Sequence, residues 1–136
     1  MFRYRSTRKR YKSGPKDVCP FCTPTEGALV KEYKYARIIR NIYAYDLWEF
    51  RDVTEHLLIV PKRHVKNLKQ LTKPERDEIL KLIMDYEAKN YNIYARSSDS
   101  VKKTIPAHQH THVIKTLDKQ PKLALFVNKP YFLIKR

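Results

Sequence analysis

The sequence has no apolar run near the roughly 20 residues that a membrane-spanning helix needs. Its N-terminus is basic and no apolar segment follows, so the pattern of a secretory signal is missing as well. Apolar residues make up 42% of the 136 residues, which favours a folded globule over a disordered chain. We therefore expect a soluble cytoplasmic protein with no membrane partner.

Cysteine is almost absent, and the two that occur, Cys19 and Cys22, stand together in the stretch CPFC. Without a secretion signal a structural disulfide is not expected, because the cytosol keeps thiols reduced. Two thiols at this spacing suit either a metal knuckle or a redox pair. The fragment alone does not choose between these two uses.

Acidic residues are few: 14 Asp and Glu stand against 29 Lys and Arg, which gives a formal net charge of +15. Seven of the basic residues lie within residues 1–16, before the first acid at Asp17, so the rest of the chain carries 15 − 7 = +8. Such a chain attracts polyanions, for example nucleic acid, nucleotides or an anionic membrane surface. The simpler alternative is that the charge serves solubility.

The chain is long enough for one domain with a hydrophobic core. Residues 1–17 have little apolar periodicity and predict a flexible basic arm, followed by a single domain over 18–136. Phe2, Tyr4 and Tyr11 are interleaved with the cations of the arm. Such rings suit stacking on single-stranded nucleic acid, and equally suit packing on the domain itself or on a second subunit.

Hydrophobic patterns in the domain predict an α+β fold. Residues 28–45 predict a β-hairpin broken near Tyr33–Lys34, and residues 55–64 a central strand that ends at Pro61. Thr72 and Glu75 have the spacing of a capping box, so a helix is expected to begin there. The inner face of that helix is expected to carry Ile79, Leu82, Ile83 and Tyr86. Residues 91–96, 108–114, 123–128 and 131–135 predict further strands.

Three of the five histidines, His108, His110 and His112, occupy alternate positions in the stretch TIPAHQHTHVIK. Alternate side chains of an extended strand share one face, so the three imidazoles are expected in one row, about 6.6 Å apart. Such a row suits metal binding, phosphate chemistry or simply a polar strand face.

The stretch HQHTHVI resembles the motif of the histidine triad family, in which three alternate histidines precede two apolar residues. EHLLIVPKRHVKNLKQLTKPE resembles the family's apolar strand, its Pro-Lys-x-His turn and the start of its helix, and CPFC resembles the cysteine pair of its bacterial-type members. The three blocks stand in family order and cover roughly residues 18–115. The resemblance implies a HIT-like α+β fold, with a mostly antiparallel five-stranded sheet packed against one main helix.

The resemblance also implies a structural zinc ion bound by Cys19, Cys22, His64 and His108. Two thiolates and two imidazoles form a common tetrahedral zinc site. The ion would fix the N-terminal knuckle to the histidine strand, which is a folding role. The alternative is that the cysteines are small reduced residues and His64 a surface histidine.

By the same resemblance, His110 attacks the α-phosphorus of a nucleotide and forms a nucleotidyl-histidine, which water or another acceptor resolves. Neutral imidazole is nucleophilic near pH 7, which makes this chemistry reasonable. His112 is expected to donate to phosphate oxygens or to the leaving group. His56 matches a family histidine that hydrogen-bonds the triad, with a core histidine of no chemical role as the alternative.

The sequence departs from the family in the loop before the triad, where many members have a Gly-Gln pair and this chain reads SDSVKKTIP. Candidate phosphate-binding residues in this region are Ser98, Ser100, Lys103 and Thr104. Gln109 and Thr111 stand where the family usually has apolar residues, so the packing behind the strand is expected to be more polar.

The stretch AYDLWEFRD also differs from the family's usual ribose-binding segment. Asp46 is the candidate acceptor for the ribose hydroxyls, and Tyr45 or Trp48 could stack on a base. The alternative is that Tyr45 and Trp48 are core or interface aromatics.

The resemblance implies a nucleotide hydrolase or nucleotidyl transferase that acts at the α-phosphate, in a homodimer. The resemblance implies purine nucleotide conjugates as substrates, namely phosphoramidates, acyl adenylates and dinucleoside polyphosphates. The alternative function is a basic zinc protein that acts on, or merely binds, nucleic-acid ends.

Overall fold

The computed structural model describes residues 3–4, 19–99 and 108–118. Its elements in chain order are β1 (Arg3–Tyr4), β2 (Leu29–Glu32), β3 (Ala36–Arg40), β4 (Leu47–Trp48), β5 (Arg51–Pro61), α1 (Lys73–Glu87), β6 (Asn92–Ala95) and β7 (Thr111–Thr116). Most of the predicted arm and the predicted strands 123–128 and 131–135 lie outside the described residues.

The five longer strands form an antiparallel sheet in the order β2-β3-β5-β7-β6. The two-residue strands β1 and β4 extend it beside the start of β5. The predicted five-stranded antiparallel sheet is therefore confirmed, with a short two-stranded addition. The predicted hairpin is also present, because β2 and β3 pair across the turn at residues 33–35.

Strand alternation gives the sheet two distinct faces. Leu57 pairs with Val113 and Leu58 with His112, so neighbouring pairs point to opposite sides. One face packs under α1 in a hydrophobic cluster that includes Leu57, Ile59, Ile79, Leu82 and Val113. The other face carries His56, Leu58 and His112, and this face holds the candidate site.

Helix α1 begins where the sequence predicts. Thr72 caps it, and Glu75 bonds back to the Thr72 amide at 2.7 Å, which completes the capping box. Ile79 and Leu82 are buried against the sheet, with Ile83 and Tyr86 packed at the edge of the cluster. Within the described ranges, no helix combines the length and apolar character that crossing a bilayer requires.

The prediction that all three motif histidines lie in one strand is wrong in extent, since β7 begins at Thr111. The residues before it leave the sheet: the Gln109 amide donates to the Val65 carbonyl at 2.6 Å, in the loop after β5. His112 alone of the three therefore lies within the strand. Thr111 pairs with Ile59 on the helix face and is buried there. A polar side chain is thus packed behind the histidines, as the sequence predicts.

Candidate metal centre and histidine site

Four candidate metal ligands from three separate parts of the chain meet at one place. The ligand atoms of Cys19, Cys22, His64 and His108 all lie within 4.8 Å of one another. Cys19 Sγ is 3.3 Å from His108 Nδ1, and Cys22 Sγ is 3.2 Å from His64 Nδ1. Sulfur and nitrogen ligands of a tetrahedral zinc ion stand about 3.5 Å apart, so the cluster could hold a metal ion of that kind.

Backbone groups fix the orientation of this cluster. His108 Nε2 is 2.9 Å from the Pro61 carbonyl, which can only accept, so this nitrogen carries the hydrogen and Nδ1 faces the cysteines with its lone pair. The knuckle itself is a tight turn in which the Cys22 amide donates to the Cys19 carbonyl at 3.1 Å. Arg37 of β3 donates to the carbonyls of Phe21 and Cys22 and holds this turn against the sheet.

The donor set agrees chemically with a cation. Burial raises the pKa of the Cys22 thiol, the neighbouring Cys19 thiol raises it further, and the Arg37 charge opposes both effects. A divalent cation reverses this balance, because thiols coordinate a metal as thiolates. Two thiolates would neutralise a divalent ion, and two neutral imidazoles would complete four ligands.

His110 is held by the backbone of a metal-ligand candidate. Its Nδ1 donates to the carbonyl oxygen of His108 at 3.0 Å. In the neutral ring Nε2 then bears the lone pair, which is the nitrogen that can attack an electrophile. The side chain is buried, and the Phe21 ring lies 4.9 Å from it, centroid to centroid. Phe21 lies between the two cysteines, so the knuckle and His110 are in direct contact.

The His112 tautomer follows from a chain of hydrogen bonds. The Tyr45 amide donates to His56 Nδ1 at 3.0 Å, so the hydrogen of a neutral His56 is on Nε2. That Nε2 is 2.8 Å from His112 Nδ1 and donates to it. His112 therefore carries its hydrogen on Nε2. The side-chain amide nitrogen of Asn41 lies 3.1 Å from the same His56 Nε2. Because that nitrogen already carries a hydrogen, it cannot accept a hydrogen bond from Asn41.

Aromatic side chains surround His112. Its ring is 5.1 Å from that of His110, 5.9 Å from the stacked ring of Tyr45 and 5.6 Å from that of Tyr94. Tyr45 and Trp48 stack on each other and are both buried. This burial favours the alternative in which Tyr45 and Trp48 are core aromatics, so base stacking by Tyr45 stays a prediction.

The remaining candidate nucleotide ligands are only partly described. Asp46 is exposed. It directly follows Tyr45, whose ring lies 5.9 Å from that of His112. The Ser98 hydroxyl donates to Asp99, which also pairs with Lys66 at 2.7 Å. Ser100, Lys103 and Thr104 lie outside the described residues. Their roles in binding phosphate stay predictions.

The structure adds residues that the sequence reasoning missed. Asn41, Phe21 and Arg37 contact the site through tertiary packing, and no local motif marks Asn41 or Arg37. Phe21 could have been noticed, because it stands inside the CPFC motif. The contact between Phe21 and His110 spans residues far apart in the chain, which spacing alone does not reveal.

Comparison with solved structures identifies the fold. A histidine triad nucleotide-binding protein from Candida albicans aligns with a TM-score of 0.58 at 17% identity over 85% of this chain and 86% of its own. A HIT family protein from Bacillus anthracis gives 0.56 at 18% identity over 83% of each chain. A HIT family hydrolase from Clostridium thermocellum gives 0.53 at 22% identity over 79% of this chain and 98% of its own.

No family model matches the sequence, and no curated protein is detectably similar to it. The fold of the chain is nevertheless that of the histidine triad proteins, an antiparallel sheet packed with one main helix. The predicted HIT-like fold is confirmed.

Proposed function

We propose that this protein is a histidine triad nucleotide hydrolase or nucleotidyl transferase in which His110 is the nucleophile. The observation that carries the proposal is the hydrogen bond from His110 Nδ1 to the His108 carbonyl, since it leaves the lone pair on Nε2. The His112 ring beside it carries its hydrogen on Nε2 and suits the second role, donation to phosphate oxygens.

The reaction has two balanced steps. First, His110 Nε2 forms a bond to the α-phosphorus as the bond to the leaving group breaks, and the bonding pair departs with that group. The leaving group is a phosphate oxyanion or, from a phosphoramidate, an amine that takes its proton from solvent. Then the oxygen of water bonds to phosphorus, the P–N bond breaks and its electron pair returns to Nε2, while the water proton passes to solvent. An alcohol or phosphate acceptor in place of water gives transfer.

Each histidine has a different part in these steps. The His108 carbonyl accepts from His110 Nδ1 and stabilises the positive ring of the nucleotidyl intermediate. His112 donates to the phosphate oxygens without losing its proton. His56 is a positioning residue, because its bond to His112 Nδ1 fixes the tautomer of that ring.

The metal proposed for Cys19, Cys22, His64 and His108 is zinc, in a structural role. The four ligand atoms match the donor set and spacing of a closed tetrahedral site, and this agrees with the bacterial-type cysteine branch of the family. A bound ion supplies rigidity, holding the knuckle and its Phe21 ring against His110.

Purine nucleotides or their conjugates are the proposed substrates. Asp46 is proposed to bind ribose, and Ser98, Ser100, Lys103 and Thr104 are proposed to bind phosphate in place of the family's Gly-Gln pair. A homodimer in the cytoplasm is proposed on the family resemblance alone.

The test is intact-protein mass spectrometry after brief incubation with an adenosine phosphoramidate, avoiding acid, which cleaves P–N bonds. We expect a nucleotide adduct on the parent and none on His110→Ala, which should keep the thermal midpoint and metal content of the parent. Turnover by a correctly folded His110→Ala protein, or an adduct on a different residue, would contradict the mechanism.

A second candidate function follows from the net charge of +15. A basic protein with this chemistry could act on nucleic-acid ends, or bind them without turnover. If the protein acts on nucleic-acid ends, the phosphate chemistry is the same as for a small nucleotide. Only the size of the group attached to the reacting phosphate differs.

A further inference from the structure

Arg96 and His110 adjoin the same end of the β6–β7 pair. Strand β6 runs antiparallel to β7, with Tyr94 paired to His112 and Ala95 to Thr111. Arg96 directly follows and His110 directly precedes the two residues of this last pair. Neighbouring strands are about 4.8 Å apart, so an arginine at this position is within side-chain reach of a group bound to that histidine.

The side chain of Arg96 rests on an aromatic ring of the site. Its guanidinium carbon is 5.6 Å from the centroid of Tyr94, and the Tyr94 ring is 5.6 Å from the ring of His112. Alternation along β6 gives Tyr94 and Arg96 the same face. Arg96 is half-buried there. Tyr94 is thus in contact with both the guanidinium of Arg96 and the ring of His112.

Arg96 forms no ion pair with a carboxylate of residues 19–99 or 108–118. Two other arginines do form such pairs, since Arg63 binds Glu75 at 2.7 Å and Arg37 binds Glu32 at 3.1 Å. A guanidinium stacked on a ring keeps its N–H edge available for two parallel hydrogen bonds to phosphate. Arg96 therefore brings to the site face a positive charge that no carboxylate of the described residues pairs with.

We propose that Arg96 binds the phosphate of the departing part of the substrate and makes the protein selective for nucleotides whose leaving group is itself a phosphate. Such substrates are nucleoside di- and triphosphates and dinucleoside polyphosphates, in contrast to phosphoramidates with an amine leaving group. The inference rests on the proposed function and narrows its substrate class. A charged bond to the departing phosphate accounts for about a 10- to 100-fold effect.

The first experiment compares kcat/KM for diadenosine triphosphate and for an adenosine phosphoramidate in the parent and in Arg96→Ala. We expect the variant to lose about 10- to 100-fold on the triphosphate and to keep its phosphoramidate activity. Arg96→Lys should recover part of the loss, because it keeps the charge without the bidentate geometry.

Lys115→Ala is the matched control, since Lys115 also lies over a tyrosine ring, 5.1 Å from the centroid of Tyr91, but alternation places it on the helix face. It should leave both activities unchanged. Equal losses on the two substrates in Arg96→Ala, or no loss on either, would overturn the inference.

A binding measurement separates this inference from the proposed function. In a His110→Ala background, calorimetry with ADP and AMP reports whether the second phosphate gains affinity from Arg96. We expect Arg96→Ala to weaken ADP binding by about tenfold or more and to leave AMP binding unchanged. An unchanged ADP-to-AMP ratio overturns the role of Arg96, whereas absence of the His110 adduct overturns the proposed function.

Discussion

Glu75 is a buried carboxylate with several strong hydrogen-bond donors. Arg63 binds it through Nε at 2.9 Å and Nη2 at 2.7 Å, and the amide and hydroxyl of Thr72 donate to the same group. The Arg63 bonds, supported by those from Thr72, lower the pKa of Glu75 to about 2, against an opposing effect of burial. The carboxylate thus joins the loop after β5 to the start of α1.

Because the pKa of Glu75 is lower in the folded protein than its ordinary 4.5, its contribution to stability is complete above pH 4.5 and is lost as pH falls toward 2. We predict that Glu75→Gln lowers the free energy of unfolding by about 2 kcal/mol at pH 7. The difference from the parent should shrink between pH 4.5 and pH 2. Urea unfolding at a series of pH values measures both effects.

Asp77→Asn is the control for this prediction. Asp77 pairs with Lys73 at 2.6 Å on the exposed face of α1. Exposed helix pairs contribute about 0.3–0.5 kcal/mol, so this variant should stay close to the parent. A loss in Glu75→Gln that does not change with pH would show that packing, and not the carboxylate charge, is responsible.

For single residues, contacts between positions close in the sequence could be predicted, whereas contacts between distant positions could not. The capping box needs only Thr72 and Glu75 three residues apart, so the sequence predicts it correctly. The metal-ligand candidates were found because the family resemblance marks them. Arg37 lies on β3 and donates to the carbonyls of Phe21 and Cys22 in the knuckle. Nothing in the sequence around Arg37 indicates that contact.

Among the elements, the knuckle of residues 19–22 has few backbone bonds of its own. It consists of a turn closed by the bond from the Cys22 amide to Cys19, and it contacts the sheet through Arg37 and Phe21. Such a short element depends on cross-links for its order, and a metal bound by residues from three segments supplies them.

We predict that removing the metal with a chelator lowers the thermal midpoint by about 5 °C or more, because ligand binding to the folded state alone stabilises it. Cys22→Ala should lose the metal and no longer respond to the chelator. Thr23→Ala, an exposed neighbour outside the ligand set, should behave as the parent. Calorimetric scans with metal analysis measure this, and a chelator response retained in Cys22→Ala would contradict the assignment.

Element prediction succeeded where the residue pattern matched the local backbone and failed where it did not. The sequence did not reveal the β4–β5 hairpin, because its two-residue turn is Glu49–Phe50 and has none of the usual Asn or Gly. Both residues nevertheless have positive φ, 51° and 63°, as a type I′ turn requires. The start of β7 was misplaced for a tertiary reason, since the bonds from Gln109 to Val65 and from His108 to Pro61 draw the chain out of the sheet.

For the whole molecule, the net charge of +15 favours polyanionic partners. We predict that the full chain binds single-stranded RNA and DNA with an affinity that falls with salt, at a slope of about −0.7 per phosphate contact. Replacing the seven Lys and Arg of residues 1–16 by Gln should make this slope shallower. Fluorescence anisotropy at several salt concentrations measures it, and binding that is absent or insensitive to salt would exclude the nucleic-acid alternative.

The core under α1 and the proposed reacting histidines lie on opposite sides of the sheet. The cluster under α1 contains Ile38, Leu57, Ile59 and Val113, while His112 lies on the opposite face of β7 and His110 directly precedes that strand. Substitutions around His110 and His112 therefore leave the helix-side packing intact. If Arg96 acts as we propose, descendants could acquire a new leaving-group preference by changing that single residue, without having to rebuild the cluster under α1.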